Sequence, residues 1–348
     1  MGLFILRRLG VMLLTALCLT FIVFFLTNLG PNLEKLAKTE ASVRMSDDAV
    51  TTWLANRGYA QPMLVKYGEW LGVLPGYVIE GTDGVTRGLC IHPDQKPEDA
   101  HKFCGVLQGD WGQSSVFKDS VLSIVGTRLG LTGKLMLWVL IVMVPTALVV
   151  GVLAGMNEGS RTDRVLSTLS ITTTATPEYV SGVVFIAVFA SAAMGLRWFN
   201  GSATSAMAHA TFVNFTLPVL TIAMYGMGYI ARMTRASMTE VMTAQYIRTA
   251  RLKGVSFRNI VLKHALRNAL IAPFTVIMLQ FPWLLNGVVI TETLFNYKGF
   301  GWTLVTAASN NDIQLLMGVS VVSVFVVLFT QLISDIGYVF LNPRIRIS

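Results

Sequence analysis

YIRTARLKGVSFRNIVLKHALRNAL, from Tyr246 to Leu270, carries six Lys and Arg side chains and no acid. Widened to Arg232–Arg267, the block holds eight of the chain's 27 basic residues against a single acid, Glu240. It interrupts a chain of 348 residues that is 53% hydrophobic and only 13% charged, with a mean hydropathy of +0.60. Such a composition has too little polar surface to cover a soluble globule. The block must therefore be the place where a membrane protein meets water, phosphate or another protein.

Charge-free runs near the roughly 20 residues a helix needs to cross a bilayer occur at Leu9–Leu29, Leu135–Asn157, Tyr179–Leu196, Thr211–Ala231, Asn268–Thr291 and Ile313–Ser334. The predicted fold is an all-α polytopic membrane protein with six transmembrane helices. The runs are continuous, without the period-two alternation of a membrane β-barrel. The first run follows Arg7 and Arg8 as a secretory signal would, but its 21 uncharged residues exceed the usual apolar core of about 7–15. With no A-x-A site after it, it reads as an uncleaved anchor.

Orientation follows from the Lys/Arg bias of short loops. With both termini cytoplasmic, the inner segments hold Arg7, Arg8, Arg161, Arg164, the eight of the central block, Arg344 and Arg346, whereas the short outer loops hold only Arg197 and Lys298. The expected organisation is residues 1–30 as cytoplasmic end and first span, 31–134 as an external loop subdomain, 135–341 as the membrane core with a loop at 232–268, and 342–348 as the cytoplasmic carboxyl terminus.

The external segment contains CIHPDQKPEDAHKFC, which gathers Cys90, His92, His101 and Cys104 within 15 residues. Two thiolates and two imidazoles suit tetrahedral zinc, although the spacing matches no usual finger. A Cys90–Cys104 disulfide on the oxidising side is the simpler reading, worth about 3 kcal/mol in the chain-entropy model; free thiols are the third. The disulfide is carried forward and no metal site is assigned. Cys18, in the first span, reads as an inert apolar residue.

Several chemistries are disfavoured. A chain powering its own transport with ATP would need a phosphate-cradling G-x-x-x-x-G-K-[ST] loop, and Gly133-Lys134-Leu135, the nearest candidate, lacks both the hydroxyl and the upstream glycine. An ion-driven carrier would place charged relays inside its spans, where only Glu178, beside Pro177, and Asp335 stand as candidates. No hydrolase triad and no H-E-x-x-H pair is present, so no catalytic role is assigned. Nucleic-acid binding is disfavoured because aromatic residues do not interleave with the basic ones.

Within the basic block, Tyr246–Lys253 are helix formers, Lys253 favours the negative end of the helix dipole, and Gly254 suits a left-handed cap. On a 3.6-residue period Arg248, Arg251 and Arg258 fall roughly together, opposite a small flat face of Ile247, Ala250 and Gly254. Ser256 is placed to cap a second helix running through His264 and Asn268 into span five. A short exposed helix joined almost rigidly to a span is what mechanical coupling requires. The plainer reading is a positive-inside determinant or an anchor for anionic membrane lipid.

The stretch closely resembles the cytoplasmic loop of permease subunits of peptide-type ABC importers, the dipeptide, oligopeptide and nickel permease family. The family's Y-I-R-T-A-R-x-K-G and H-A-L-R-N-A-L patterns match Tyr246–Gly254 and His264–Leu270. Similarity extends to FILRRL at Phe4–Leu9, QGDWGQS at Gln108–Ser114, ARMTRASMTEV at Ala231–Val241, TETLF at Thr291–Phe295 and NPRIR at Asn342–Arg346. The chain departs from the pattern at Gly30-Pro31-Asn32-Leu33, where a Pro-Gly-Asp-Pro-like turn is common, and at Tyr297-Lys298-Gly299-Phe300-Gly301, in place of Trp-Pro-Gly-Leu-Gly. Pro75–Cys104 looks like an insertion.

In that family this loop is the counterpart of the EAA motif, whose coupling helix sits in a groove of the ATP-binding subunit. The resemblance thus assigns docking to Tyr246, Ile247, Arg248, Thr249, Ala250, Arg251, Lys253 and Gly254. It implies a second homologous permease subunit, two ATP-binding subunits carrying ATP and Mg, a periplasmic or lipid-anchored solute-binding protein, no cofactor on this chain, and a bacterial or archaeal inner membrane. The cargo is left open among dipeptides, longer peptides, oligosaccharides, nickel chelates and heme. Pro145, Pro177, Pro218, Pro273 and Pro282 lie in or beside spans as kinks or hinges. Pro177, Glu178, Gln280 and Asn286 are the translocation-pathway candidates, the amides because lipid contact is costly for them. The competing class is a self-contained secondary transporter or channel.

Overall fold

A computed structural model describes residues 2–81, 84–91, 96–192 and 196–341, with side chains described outside 2–5, 282, 283, 285–287 and 338–341. The chain begins with α1 (Gly2–Thr27), α2 (Gly30–Glu40), α3 (Asp47–Ala55) and α4 (Met63–Leu71), then a hairpin of β1 (Val78–Glu80) and β2 (Thr86–Gly88). There follow α5 (Val121–Met156), α6 (Arg161–Ala175), α7 (Glu178–Phe185), α8 (Phe212–Thr243) and α9 (Gln245–Leu252). After these come α10 (Phe257–Asn259), α11 (Leu266–Ala269), α12 (Ile271–Leu294), α13 (Phe300–Ser309) and α14 (Ile313–Leu341).

Among the described residues, four helices are long and apolar enough to cross a membrane: Leu6–Thr27 of α1, α5, α8 and Ile313–Gly337 of α14. Two bent pairs bring the number to six if each is one span: Arg161–Ala175 with Glu178–Ala190, at 104°, and Phe257–Ala269 with Ile271–Phe281, at 48°. Several helices outrun the charge-free runs, because α5 begins at Val121 and α8 continues to Thr243 past Arg232 and Arg235. Pro145 and Pro218 lie inside continuous α5 and α8, whereas the sharp bend falls at Pro177, where the ring ends one helix and begins the next.

The chain divides into two compact units. One comprises Ile5–Arg128 and Thr303–Phe325. Its core joins Phe24 of α1, Leu33 and Leu36 of α2, and Ile313 and Met317 of α14, with Trp53, Tyr59, Tyr67 and Trp70 packed around them. Gly30-Pro31-Asn32 opens α2 as its first turn, since proline tolerates that position. Cys90 and Cys104 are joined by a disulfide with Cα atoms 5.5 Å apart, and the Gly76 N–H donates to Lys102 O at 2.9 Å beside it. His92 lies outside the described residues; Cys18 is free and exposed.

The QGDWGQS stretch is fixed by Asp312. This buried carboxylate caps α14 through the Leu315 N–H at 3.1 Å and accepts the Ser114 hydroxyl at 2.5 Å and the Val116 N–H at 3.1 Å. Charge at a helix N-terminus is favourable, and the same group satisfies a loop that has no ladder of its own.

The other unit is built mainly from Leu129–Trp302. Leu135, Val139, Met143 and Ala147 form one stripe of α5, spaced by four, which packs with Leu217, Ile222 and Ile230 of α8 and Leu284 and Val288 of α12. On the opposite side of α5, Leu137, Trp138 and Ile141 are exposed. At one end of α8, Thr211 and Asn214 form a reciprocal capping box.

Asp312→Ala should remove the α14 cap and strand the Ser114 and Val116 donors. We expect a loss of about 2–3 kcal/mol, read as a lower thermal midpoint in detergent, with Asp312→Asn intermediate. An unchanged midpoint would refute this role.

Candidate functional site: a basic helix at one end of the bundle

The basic block begins where α8 stops. Ala244 turns extended (φ −63°, ψ 148°) and α9 follows at once. Ile247 and Ala250, three residues apart, are buried against Met238, Ile260, Val261, Ala265 and Ala269. The alternate face leaves Tyr246, Arg248, Thr249, Arg251, Leu252 and Lys253 exposed. Leu252 is 82% exposed, a degree of exposure that basic-residue spacing does not reveal.

The helix ends in a Schellman motif. Gly254 has φ 74°; its N–H donates to Arg251 O at 3.0 Å, and the Val255 N–H reaches back to Ala250 O at 3.1 Å. Both Val255 and Ala250 belong to the same apolar cluster, which supplies the hydrophobic contact this motif usually carries. The flat face expected from Ile247, Ala250 and Gly254 is thus divided: the first two anchor the helix to its own bundle and the third is an exposed cap.

Two further expectations are corrected. Ser256 occupies the N-cap position of α10, but its side chain makes no capping hydrogen bond. The connection to α12 is not a straight rigid helix, for Ile260–Ala265 forms a π-helical turn and the axis bends by 48° near Leu270. Ile260, Val261 and Ala265 of this turn all join the buried cluster.

Polar ties fix the segment to its neighbours. Asn268 Nδ2 donates to the Tyr246 hydroxyl at 3.0 Å, and Ser237 Oγ of α8 donates to Ala269 O at 2.8 Å. Arg235 of α8 meets Asp163 of α6 as a fork, Nε to Oδ1 at 2.5 Å and Nη2 to Oδ2 at 2.8 Å. Asp163 is buried and also accepts the Gly159 N–H at 2.9 Å and the Ser167 hydroxyl at 3.0 Å. Sequence reading missed this pair because 72 residues separate its members.

The pathway candidates are dispersed. Pro177 is the N-cap of α7 at the 104° break. Glu178 on α7 and Gln280 on α12 are both buried, and Oε1 of each has no hydrogen-bond partner among the described residues. The side chain of Asn286 lies outside the described residues.

With this geometry in hand, comparison with known proteins is specific. Residues 147–347 match the model of the family described as binding-protein-dependent transport system inner membrane component. Similar proteins include the probable peptide ABC transporter permease protein y4tP of Sinorhizobium fredii, 34% identical over 249 residues covering 71% of this chain and 79% of the relative. The glutathione transport system permease proteins GsiC of Salmonella typhimurium and of Escherichia coli K12 are each 32% identical over 250 residues, covering 71% of this chain and 78% of theirs. The chain belongs to the family of binding-protein-dependent transport inner membrane components. None of these relatives is named as a self-contained carrier.

If Ile247 is the anchor of α9, Ile247→Ala should weaken local packing by about 2–4 kcal/mol. Trypsin should then cut faster after Arg248 and Arg251 than in the parent, at unchanged expression. Equal cleavage rates would show that α9 is held some other way.

Proposed function

We propose that this chain is the membrane-spanning permease subunit of an ATP-driven, binding-protein-dependent importer, forming half of the pathway for peptides or a related small solute. The observation that carries the reading is α9: a short, capped, basic helix exposed on one face and locked by Ile247 and Ala250 to the inner ends of α8 and the segment entering α12. In this reading Tyr246, Arg248, Thr249, Arg251, Leu252 and Lys253 meet an ATP-binding subunit, Ile247 and Ala250 transmit its movement, and Gly254 ends the helix. The named peptide and glutathione permeases among the relatives support a peptide-like cargo.

The same reading counts each bent pair as one span, giving six with both termini cytoplasmic, residues 31–134 outside and residues 135–341 as the permease core. ATP and Mg belong to two partner ATPase subunits, and the chain itself is non-catalytic. A second, homologous permease subunit completes the pathway, a solute-binding protein delivers the cargo, and lipid of a bacterial or archaeal inner membrane surrounds it. Pro177, Glu178, Gln280 and Asn286 remain the pathway positions.

Purified alone into proteoliposomes, the chain should neither hydrolyse ATP nor accumulate solute; both should appear when the second permease, the ATPases and the binding protein are supplied. ATP-independent, gradient-driven uptake by the chain alone would replace this reading with a secondary transporter. Arg248→Glu with Arg251→Glu should weaken retention of the ATPase subunits by at least about tenfold. The salt dependence of retention should also fall, since exposed charges are screened over about 10 Å at 0.1 M salt. Parent-like retention would remove these arginines from the docking face.

A further inference from the structure

Glu292, within TETLF, is fully buried at the end of α12 opposite the basic segment. The Thr132 hydroxyl of α5 donates to its Oε1, and the Trp302 N–H, in the first turn of α13, donates to Oε2 at 2.9 Å. Thr132 Oγ1 in turn accepts the Phe300 N–H at 2.8 Å. The Tyr297 N–H donates to Glu292 O at 2.8 Å, and the Tyr297 hydroxyl donates to Leu131 O at 3.0 Å. Burial raises the Tyr297 phenol well above its ordinary range, which keeps it a donor. Gly299 fits because a Cβ there would collide with the Glu292 carboxylate and the Thr132 hydroxyl.

A turn of this kind needs no carboxylate to be stable, since apolar packing of similar volume usually serves as well as a buried ionic group. What the carboxylate adds is uniqueness of position. Its two oxygens bind different elements, and in a low-dielectric interior a half-satisfied arrangement is costly, so the turn is either seated or released. The opposite end of the same helix receives the segment that carries α9, through the bend near Leu270.

We propose that Glu292 is a positioning residue of the transport cycle, which through Thr132 and the Trp302 N–H locks the Tyr297–Trp302 turn to α5, so that α12, the turn and α5 move as one when the basic segment is displaced. The proposal rests on the permease reading given above.

The test uses the complete reconstituted assembly. Thr132→Val removes the bridging hydroxyl at constant shape, Thr132→Ser retains it, and Glu292→Gln keeps size but cannot accept both donors equally. Solute transported per ATP hydrolysed should fall about tenfold in Thr132→Val and in Glu292→Gln, with the double variant no worse than either and Thr132→Ser close to the parent. Retention of ATPase subunits should not change. In a Cys18→Ser background, a cysteine introduced by Lys298→Cys should react with an impermeant maleimide at a nucleotide-dependent rate, and Thr132→Val should abolish that dependence. A parent-like transport ratio and a retained nucleotide response in Thr132→Val would overturn the proposal. So would failure of both Thr132→Val and Glu292→Gln to assemble, which would make the group a folding element. Parent assembly controls separate the readings, because absence of ATP-dependent uptake in the parent indicts the permease reading, whereas the variant-to-parent ratio judges Glu292.

Discussion

A bilayer offers no hydrogen bonds, so every peptide group entering it must find its partner inside the protein. At the break between α6 and α7 several such groups find partners within the chain. The Thr176 N–H returns to Thr172 O at 3.1 Å, and the Val180 and Ser181 N–H groups return to Pro177 O at 3.0 and 3.2 Å. The hydroxyls of Thr172, Thr173, Thr174 and Thr176 donate to carbonyls three or four residues earlier. Four hydroxyls of a segment that reads as polar are thus turned back onto its own backbone beside a 104° bend.

The same constraint decides where charge is tolerated. Asp163 is buried only with a forked guanidinium, a backbone N–H and a hydroxyl around it. Asp312 is buried only as a helix cap that also serves a loop. Neither arrangement is strong evidence for net stability, because desolvation offsets much of the attraction. Each does select one packing among many apolar alternatives. The large unpaired basic charge is left where water or another protein can reach it, on α9 and the turns that follow.

Four of the expected spans, those in α1, α5, α8 and α14, were legible because continuous apolar runs need no knowledge of tertiary structure. α9 and its glycine cap were legible for a similar reason, as both are set by residues within one turn of each other. Helix ends were not, since the absence of charge measures membrane thickness and not helix length; α8 runs 12 residues beyond its last uncharged position, Ala231 to Thr243. The division of α9 into an anchoring face and an outward face was half visible: Ile247 and Ala250 stood out as apolar, but much of what they pack against lies 10 to 22 residues further on, at Ile260 to Ala269. The roles of Asp163 and Asp312 needed partners 72 and 198 residues distant. Glu292 carried a signal that was available: a carboxylate directly after a charge-free run is expensive wherever it is buried, and is seldom there without a structural or functional cause.

In the proposed reading α12 is the element that joins these features. Its 24 residues amount to about 36 Å at the helical rise of 1.5 Å per residue, enough to carry a displacement across a bilayer core. Its two ends differ in kind. Toward α9 the chain has a π-helical turn and a 48° bend. Toward α13 the helix ends in a buried carboxylate satisfied by two elements, a joint that admits one geometry. If the proposed coupling holds, the end of α12 that packs toward the exposed basic helix is the one with the π-helical turn and the bend, and the end that meets α13 is the one held by the buried carboxylate, so a displacement entering at the first would be delivered at the second.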